Sequence, residues 1–295
     1  MDARTIVVGT DGTTASDTAV RWAAREAAAQ GATLRILYAY RGAEQPAGCD
    51  LAGAHVDPER RLAEVVLTAA AKQAIAAAPG VPLETTAVAG PAAEELLQLA
   101  TDATLLVVGC HGRGGLAEIV LHSAGRRLTE TAPCPIVVVR GSADTAGGSV
   151  VAGLAEAAGA GPLLAVAFHT AAAHHAPLLV VRSVPTMDPL WIGDVLAARA
   201  GQPSDDAESK ARLDQQLDVW RRLYPQVHAE VAIAHDDAAA VLTAISRRAR
   251  LLVVGSTVHS TLPGILLGST SLRLTHHAHC PVLIVRRGDV AAQRA

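Results

Sequence analysis

Aromatic residues make up only 2% of this 295-residue chain. Its cores must therefore be built from Val, Leu, Ile and Ala, which a 50% hydrophobic composition can supply. Cysteine is scarce too. Cys49, Cys110, Cys134 and Cys280 sit in apolar or glycine-rich contexts without C-x-x-C spacing. That argues against a disulfide scaffold and for a reducing compartment. No block of Lys or Arg stands out, and the formal net charge is −3, so a nucleic-acid surface is not indicated. No apolar run reaches membrane-spanning length, since Leu163 to Phe168 soon meets His169. The start, Met1-Asp2-Ala3-Arg4, has neither the basic end nor the apolar stretch of a secretion signal. These absences lead to the expectation of a soluble cytoplasmic protein.

What the chain does have is a repeat. Leu105 to Arg140 reads LLVVGCHGRGGLAEIVLHSAGRRLTETAPCPIVVVR, and Leu251 to Arg286 reads LLVVGSTVHSTLPGILLGSTSLRLTHHAHCPVLIVR. The two align without a gap and about half of the paired positions are identical. Each reads as a buried strand, a glycine-rich turn, a helix, a proline break and a second buried strand. The chain is two copies of one unit, placed at 1–141 and 149–288 and joined by Gly141–Gly148, which has linker composition.

In the first copy, Thr5 to Gly9 is a short apolar run ending in Thr10-Asp11-Gly12, the pattern of a buried strand and a turn. Thr13, Thr14 and Ser16 are N-cap candidates for a helix over 15–30, with Val20, Trp22, Ala23 and Ala27 inward and Gly31 as its stop. Strands follow at Leu34 to Tyr40 and Leu83 to Val88, and helices at Pro58 to Ala78 and after Gly90-Pro91, the last with Leu96, Leu97 and Leu99 inward. The second copy repeats the alternation, with an insertion at 187–202 bearing Trp191. Alternating strands and helices with continuous apolar strands predict a parallel sheet covered on both faces. Such sheets bind ligands beyond the strand C-termini, where the strand order reverses.

The glycine turn has the spacing G-x-x-G, nine residues, then G-[ST]. The first copy shows Gly109-Cys110-His111-Gly112 and then His122-Ser123; the second shows Gly255-Ser256-Thr257-Val258 and then Gly268-Ser269. Glycines let backbone N–H groups approach phosphate oxygens, and a serine near a helix start adds a donor. No lysine follows the glycines, so this is not a Walker A loop.

Together these residues resemble the universal stress protein family, as a tandem of two UspA-type domains over nearly the whole length. Val7-Val8-Gly9-Thr10-Asp11-Gly12, the Gly109–Ser123 loop, and the Pro-Cys-Pro and His-Cys-Pro-Val breaks carry the resemblance. It implies flavodoxin-like (adenine nucleotide alpha hydrolase-like) domains, each a five-stranded parallel sheet with helices on both faces. It also implies pairing through the last strands, within the chain or in a homodimer. One branch of the family binds ATP. Carried over, Thr10 and Asp11 would meet the ribose, and the backbone at Ala39 the adenine. Gly109, Gly112, Arg113, His122 and Ser123 would meet the phosphates, with Mg²⁺ as a possible companion. AMP or ADP would fit the same positions.

Each copy departs from the pattern. His122 replaces a glycine, where a side chain can block the phosphate or donate to it. In the second copy Ala155 stands at the aspartate position and Val258 at the second glycine, while Gly255, Gly268 and Ser269 remain. The second site is expected to be weak or empty. Plainer readings stand beside these. Asp11 can be a turn former or cap, Gly109 and Gly112 a tight turn, Ser123 an N-cap, and Arg113 a solvated charge. His276, His277 and His279 with Cys280 have metal-ligand types, but no metal site is expected. His174-His175 suits a helix end, Trp191 suits packing, and Cys110 is read as structural. Three functions remain: a nucleotide-binding stress module, a nucleotide-free interaction scaffold, and a slow ATPase or autophosphorylating protein. The last is weakened by the lack of a general base beside the loop.

Overall fold

The computed structural model describes residues 4–41, 58–110, 126–140, 147–154, 160–184, 203–256 and 268–286. The chain divides between Val139 and Arg140 into two compact units. The first carries β1 (Thr5–Gly9), α1 (Thr14–Gln30), β2 (Thr33–Tyr40), α2 (Pro58–Ala77) and β3 (Leu83–Ala89). It continues with α3 (Ala92–Ala100), β4 (Leu105–Gly109), α4 (Arg126–Thr131) and β5 (Ile136–Val139). The strands run parallel in the order β3-β2-β1-β4-β5. The chain steps outward from β1 to β3, then crosses back to lay β4 on the other side of β1. The reversal lies between β1 and β4.

Local chemistry explains the elements. Ile6, Val7, Val8, Leu106 and Val107 are fully buried, as central strands of a sheet covered on both faces require. Helix α1 starts at Thr13, whose side chain accepts a hydrogen bond from Ser16 N, and ends at Gly31 with φ 63°. Val20, Trp22, Ala23 and Ala27 face inward. Helix α2 opens on Pro58 and buries Ala63, Leu67, Ala70 and Ala74, one helical stripe. Helix α3 begins at Ala92, with Pro91 as its N-cap. Its buried stripe is Ala93, Leu96 and Ala100. Leu97 and Leu99, expected inward, are half-buried flanks.

The second unit carries β6 (Ser149–Leu154), α5 (Gly161–Ala173), β7 (Leu178–Ser183), α6 (Pro203–Leu223) and β8 (Ala229–Ala234). It ends with α7 (Ala238–Ile245), β9 (Ala249–Gly255), α8 (Ser269–His277) and β10 (Val282–Val285). Its parallel strands lie in the matching order, β8-β7-β6-β9-β10. One expectation changes here. The core is not purely aliphatic, because the chain's one phenylalanine, Phe168, is fully buried. Its ring lies 6.1 Å from Trp220 and 5.9 Å from Tyr224, joining α5 to α6 through offset aromatic contacts. Helix α7 is short, at 8 residues. It ends where Ser246 Oγ donates to Thr243 O at 2.7 Å and accepts from His279 N at 2.9 Å. The insertion at 187–202 lies outside the described residues. Among the described residues, no helix is long and apolar enough to cross a membrane.

Candidate functional site

Parallel strands bring their C-terminal ends to one edge. Strand β1 pairs with both neighbours, Gly9 with Leu37 of β2 and Val8 with Val107 of β4. Beyond β1 the chain stays tied to β2, since Thr10 N donates to Leu37 O at 2.9 Å. Asp11 follows and is exposed. Ala39 lies two residues past Leu37, paired with Val88. Gly109 is the last residue of β4, paired with Val139. The topology thus brings Thr10, Asp11, Ala39 and Gly109 to one edge, around the reversal between β1 and β4. Gly112, Arg113, His122 and Ser123 lie outside the described residues.

A network of hydroxyls surrounds Asp11. Its Oδ1 accepts from Thr13 N at 3.0 Å and from Thr13 Oγ1 at 2.6 Å. Thr13 Oγ1 also accepts from Ser16 N at 3.4 Å, capping α1. Ser16 is buried; its Oγ lies 3.1 Å from Thr10 Oγ1 and donates to Thr13 O at 2.9 Å. Asp11 N and Gly12 N donate to Ser16 Oγ and Thr10 Oγ1 at 3.4 and 3.3 Å. The turn-forming reading of Asp11 is therefore real geometry. The carboxylate so held remains exposed. Sequence reasoning named Thr13 and Ser16 only as caps; the spacing D-x-T-x-x-S does not by itself reveal their hold on Asp11.

Gly109 has a packing reason of its own. A Cβ there would lie 2.8 Å from Ala15 O and 2.9 Å from Ala15 C. The first turn of α1 rests directly on the end of β4, and only a residue without a side chain admits that approach.

In the second unit, Gly255 ends β9, Gly268 is the N-cap of α8 and Ser269 its first residue. Gly268 supplies no side-chain cap. Ser271 Oγ instead donates to Gly255 O at 2.7 Å, tying the first turn of α8 back to the strand end. Ala155 and Val258 lie outside the described residues. Helices α4 and α8 are braced alike. Arg127 Nη1 reaches Glu94 Oε1 at 3.1 Å, and Arg273 Nη1 reaches Asp237 Oδ1 at 2.7 Å. His276 and His277 form the last turn of α8, their rings 6.4 Å apart. Among the described residues, no group of three or more His, Cys, Asp or Glu side chains is arranged to hold a metal. Burial pushes the Cys280 thiol up to about 12, so it is inert at neutral pH.

The doubly wound units, parallel strands with helices between them, define an α/β class of domain. The model of the universal stress protein family matches this chain twice, over residues 3–140 and 149–286, and the chain belongs to that family. A universal stress protein of Mycolicibacterium smegmatis is 28% identical over 290 residues, covering 95% of this chain and 96% of its own. The crystal structure of a universal stress protein from Archaeoglobus fulgidus superposes with a TM-score of 0.69 at 15% identity, covering 98% of this chain and all of that one. A universal stress protein solved in complex with cAMP is 30% identical over 48% of this chain and 98% of its own, with a TM-score of 0.37.

Proposed function

We propose that the first domain binds an adenine nucleotide, ATP or its mono- or diphosphate, at the edge between β1 and β4. The observation that carries this is the convergence of Asp11, Ala39 and Gly109 at the strand-order reversal, where open α/β sheets take their ligands. Asp11, with Thr10, receives the ribose hydroxyls; a fixed carboxylate is a strong acceptor for them. The backbone at Ala39 faces the adenine. Gly109, Gly112, Arg113, His122 and Ser123 take the phosphates, and Mg²⁺ enters with them as a counter-charge. Gly109 also has a packing reason independent of any ligand, because the backbone of Ala15 fills the space its Cβ would need. The protein acts in the cytoplasm as a stress-response module, pairing through its last strands, whose runs IVVV and VLIV are wholly apolar. Nucleotide occupancy is what a partner protein reads.

The second domain contributes less. It keeps Gly255, Gly268 and Ser269, but Ala155 offers no acceptor for a ribose. A second reading, a nucleotide-free scaffold, is favoured by the lost glycines at His122 and Val258. Hydrolysis, if present, is slow and incidental.

The deciding experiment is to release bound ligand from the purified chain by heat and quantify it by ion exchange at 260 nm. The expected result is about one adenine nucleotide per chain at saturation, removed by Asp11→Ala. Two per chain would overturn the asymmetry. No binding, even with added ATP and Mg²⁺, would leave the scaffold reading.

A further inference from the structure

Two observations single out Thr13. The first is its double contact with Asp11 Oδ1, at 3.0 Å through N and 2.6 Å through Oγ1. The second comes from the other copy of the unit. With Gly153-Leu154-Ala155 laid on Gly9-Thr10-Asp11, and the N-cap Ala160 laid on the N-cap Thr13, Leu163 falls at Ser16. All four polar members of the network are replaced together, by Leu154, Ala155, Ala160 and Leu163.

Capping alone does not account for that joint loss. Both domains keep a helix after the first strand, and both helices have orphan N–H groups to satisfy. Yet α5 begins without a side-chain cap, at Ala160. It starts at position 161 after Gly153, eight along, whereas α1 starts at 14 after Gly9, five along. A capping hydroxyl was therefore dispensable for a helix here. What disappears along with Thr13 and Ser16 is the carboxylate they hold.

We infer that Thr13 is a positioning residue for nucleotide binding, setting the orientation in which the Asp11 carboxylate meets the ribose. This rests on the ribose role proposed above for Asp11. The Thr13 hydroxyl spends its proton on Oδ1 and accepts from Ser16 N with its lone pair. Ser16 Oγ in turn anchors the carbonyl of Thr13 and touches Thr10. The carboxylate meets its ligand already oriented, so less side-chain freedom is lost on binding.

The test is a double-mutant cycle on the full chain, read by calorimetric titration with ATP and Mg²⁺ and by thermal unfolding. Thr13→Val, of nearly the same shape, should weaken ATP binding roughly tenfold, the scale of one hydrogen bond to a charged group. Thr13→Ser should restore it. In an Asp11→Asn background, Thr13→Val should cause no further loss of affinity, while still lowering the melting temperature through the lost cap. Undiminished binding by a folded Thr13→Val chain would overturn the inference and leave the site reading intact. An equal loss in both backgrounds would also overturn it, since Thr13 would then act independently of Asp11. Asp11→Asn binding like the wild type would defeat the ribose role itself, and the positioning role with it.

Discussion

The guanidinium of Arg273 lies 2.7 Å from Asp237 Oδ1, the same oxygen that caps α7 by accepting from Ala240 N at 2.9 Å. One carboxylate thus serves a helix start and a neighbouring helix at once. The two jobs differ in worth. The pair is about half-exposed on both sides, at 53% and 52%, and such pairs contribute roughly 0–1 kcal/mol. An N-cap carboxylate contributes about 1 kcal/mol. Asp237→Ala should therefore destabilise the second unit by about 1–1.5 kcal/mol in urea unfolding, and Arg273→Ala by under about 0.5 kcal/mol. Equal losses would mean that the ion pair matters more than the cap.

His175 sits at φ 48°, in the left-handed region. It does for α5 what Gly31 does for α1. Ala176 N bonds back to Ala171 O at 2.9 Å, as Ala32 N does to Ala27 O at 2.8 Å. A side chain in that conformation is strained, and glycine is not. His175→Gly should raise stability by about 0.5–1 kcal/mol, and Gly31→Ala should lower it by about 1 kcal/mol. Thermal unfolding of the two variants checks both signs.

Gly109→Ala should be costly for a different reason. Its Cβ would press on backbone atoms of Ala15 at 2.8 and 2.9 Å, which cannot rotate away as a side-chain tip can. Overpacking of this kind costs about 1–3 kcal/mol. Lower stability together with weaker nucleotide binding is the expected pair of results. Full stability would show that α1 can lift off β4.

Cys280 gives a pH signature. Its ordinary value is 9.0 and burial raises it to about 12. Between these values the unfolded chain loses the thiol proton while the folded chain keeps it. Stability contributed by the buried thiol is complete below about pH 9 and drains away as the pH climbs toward 12. Urea midpoints should fall over that window, less steeply in Cys280→Ala. In a native thiol assay near pH 8, the half-buried Cys110 should react before Cys280.

The repeat, the alternation of strands and helices, and the glycine ending β4 were all legible in the sequence, because each follows from local pattern. Leu97 and Leu99 were not, since leucine periodicity alone does not say how wide the covered stripe is; Ala93 and Ala100 complete it. Phe168 escaped because low aromatic content says nothing about where a few rings gather. At the site, Asp11 could be placed from its strand end, and Ala39 only through the family resemblance. The bond from Thr13 to Asp11 could not, because a D-x-T spacing fits several turns and only coordinates choose one. The brace from Ser271 to Gly255 has no residue-type signature at all.

The seat of Ala15 on Gly109 has a mechanical consequence. Helix α1 and strand β4 meet there backbone to backbone, with no side chain to act as a cushion. The residue after Ala15 is Ser16, which grips Thr10 and Asp11 N. The end of β4 is thus linked to the Asp11 turn through two consecutive residues of α1, Ala15 and Ser16. Close-packed interiors pass displacements on instead of absorbing them. The end of β4 and the turn at Asp11 therefore share one support, the first turn of α1, and a substitution that lifts that turn should disturb both.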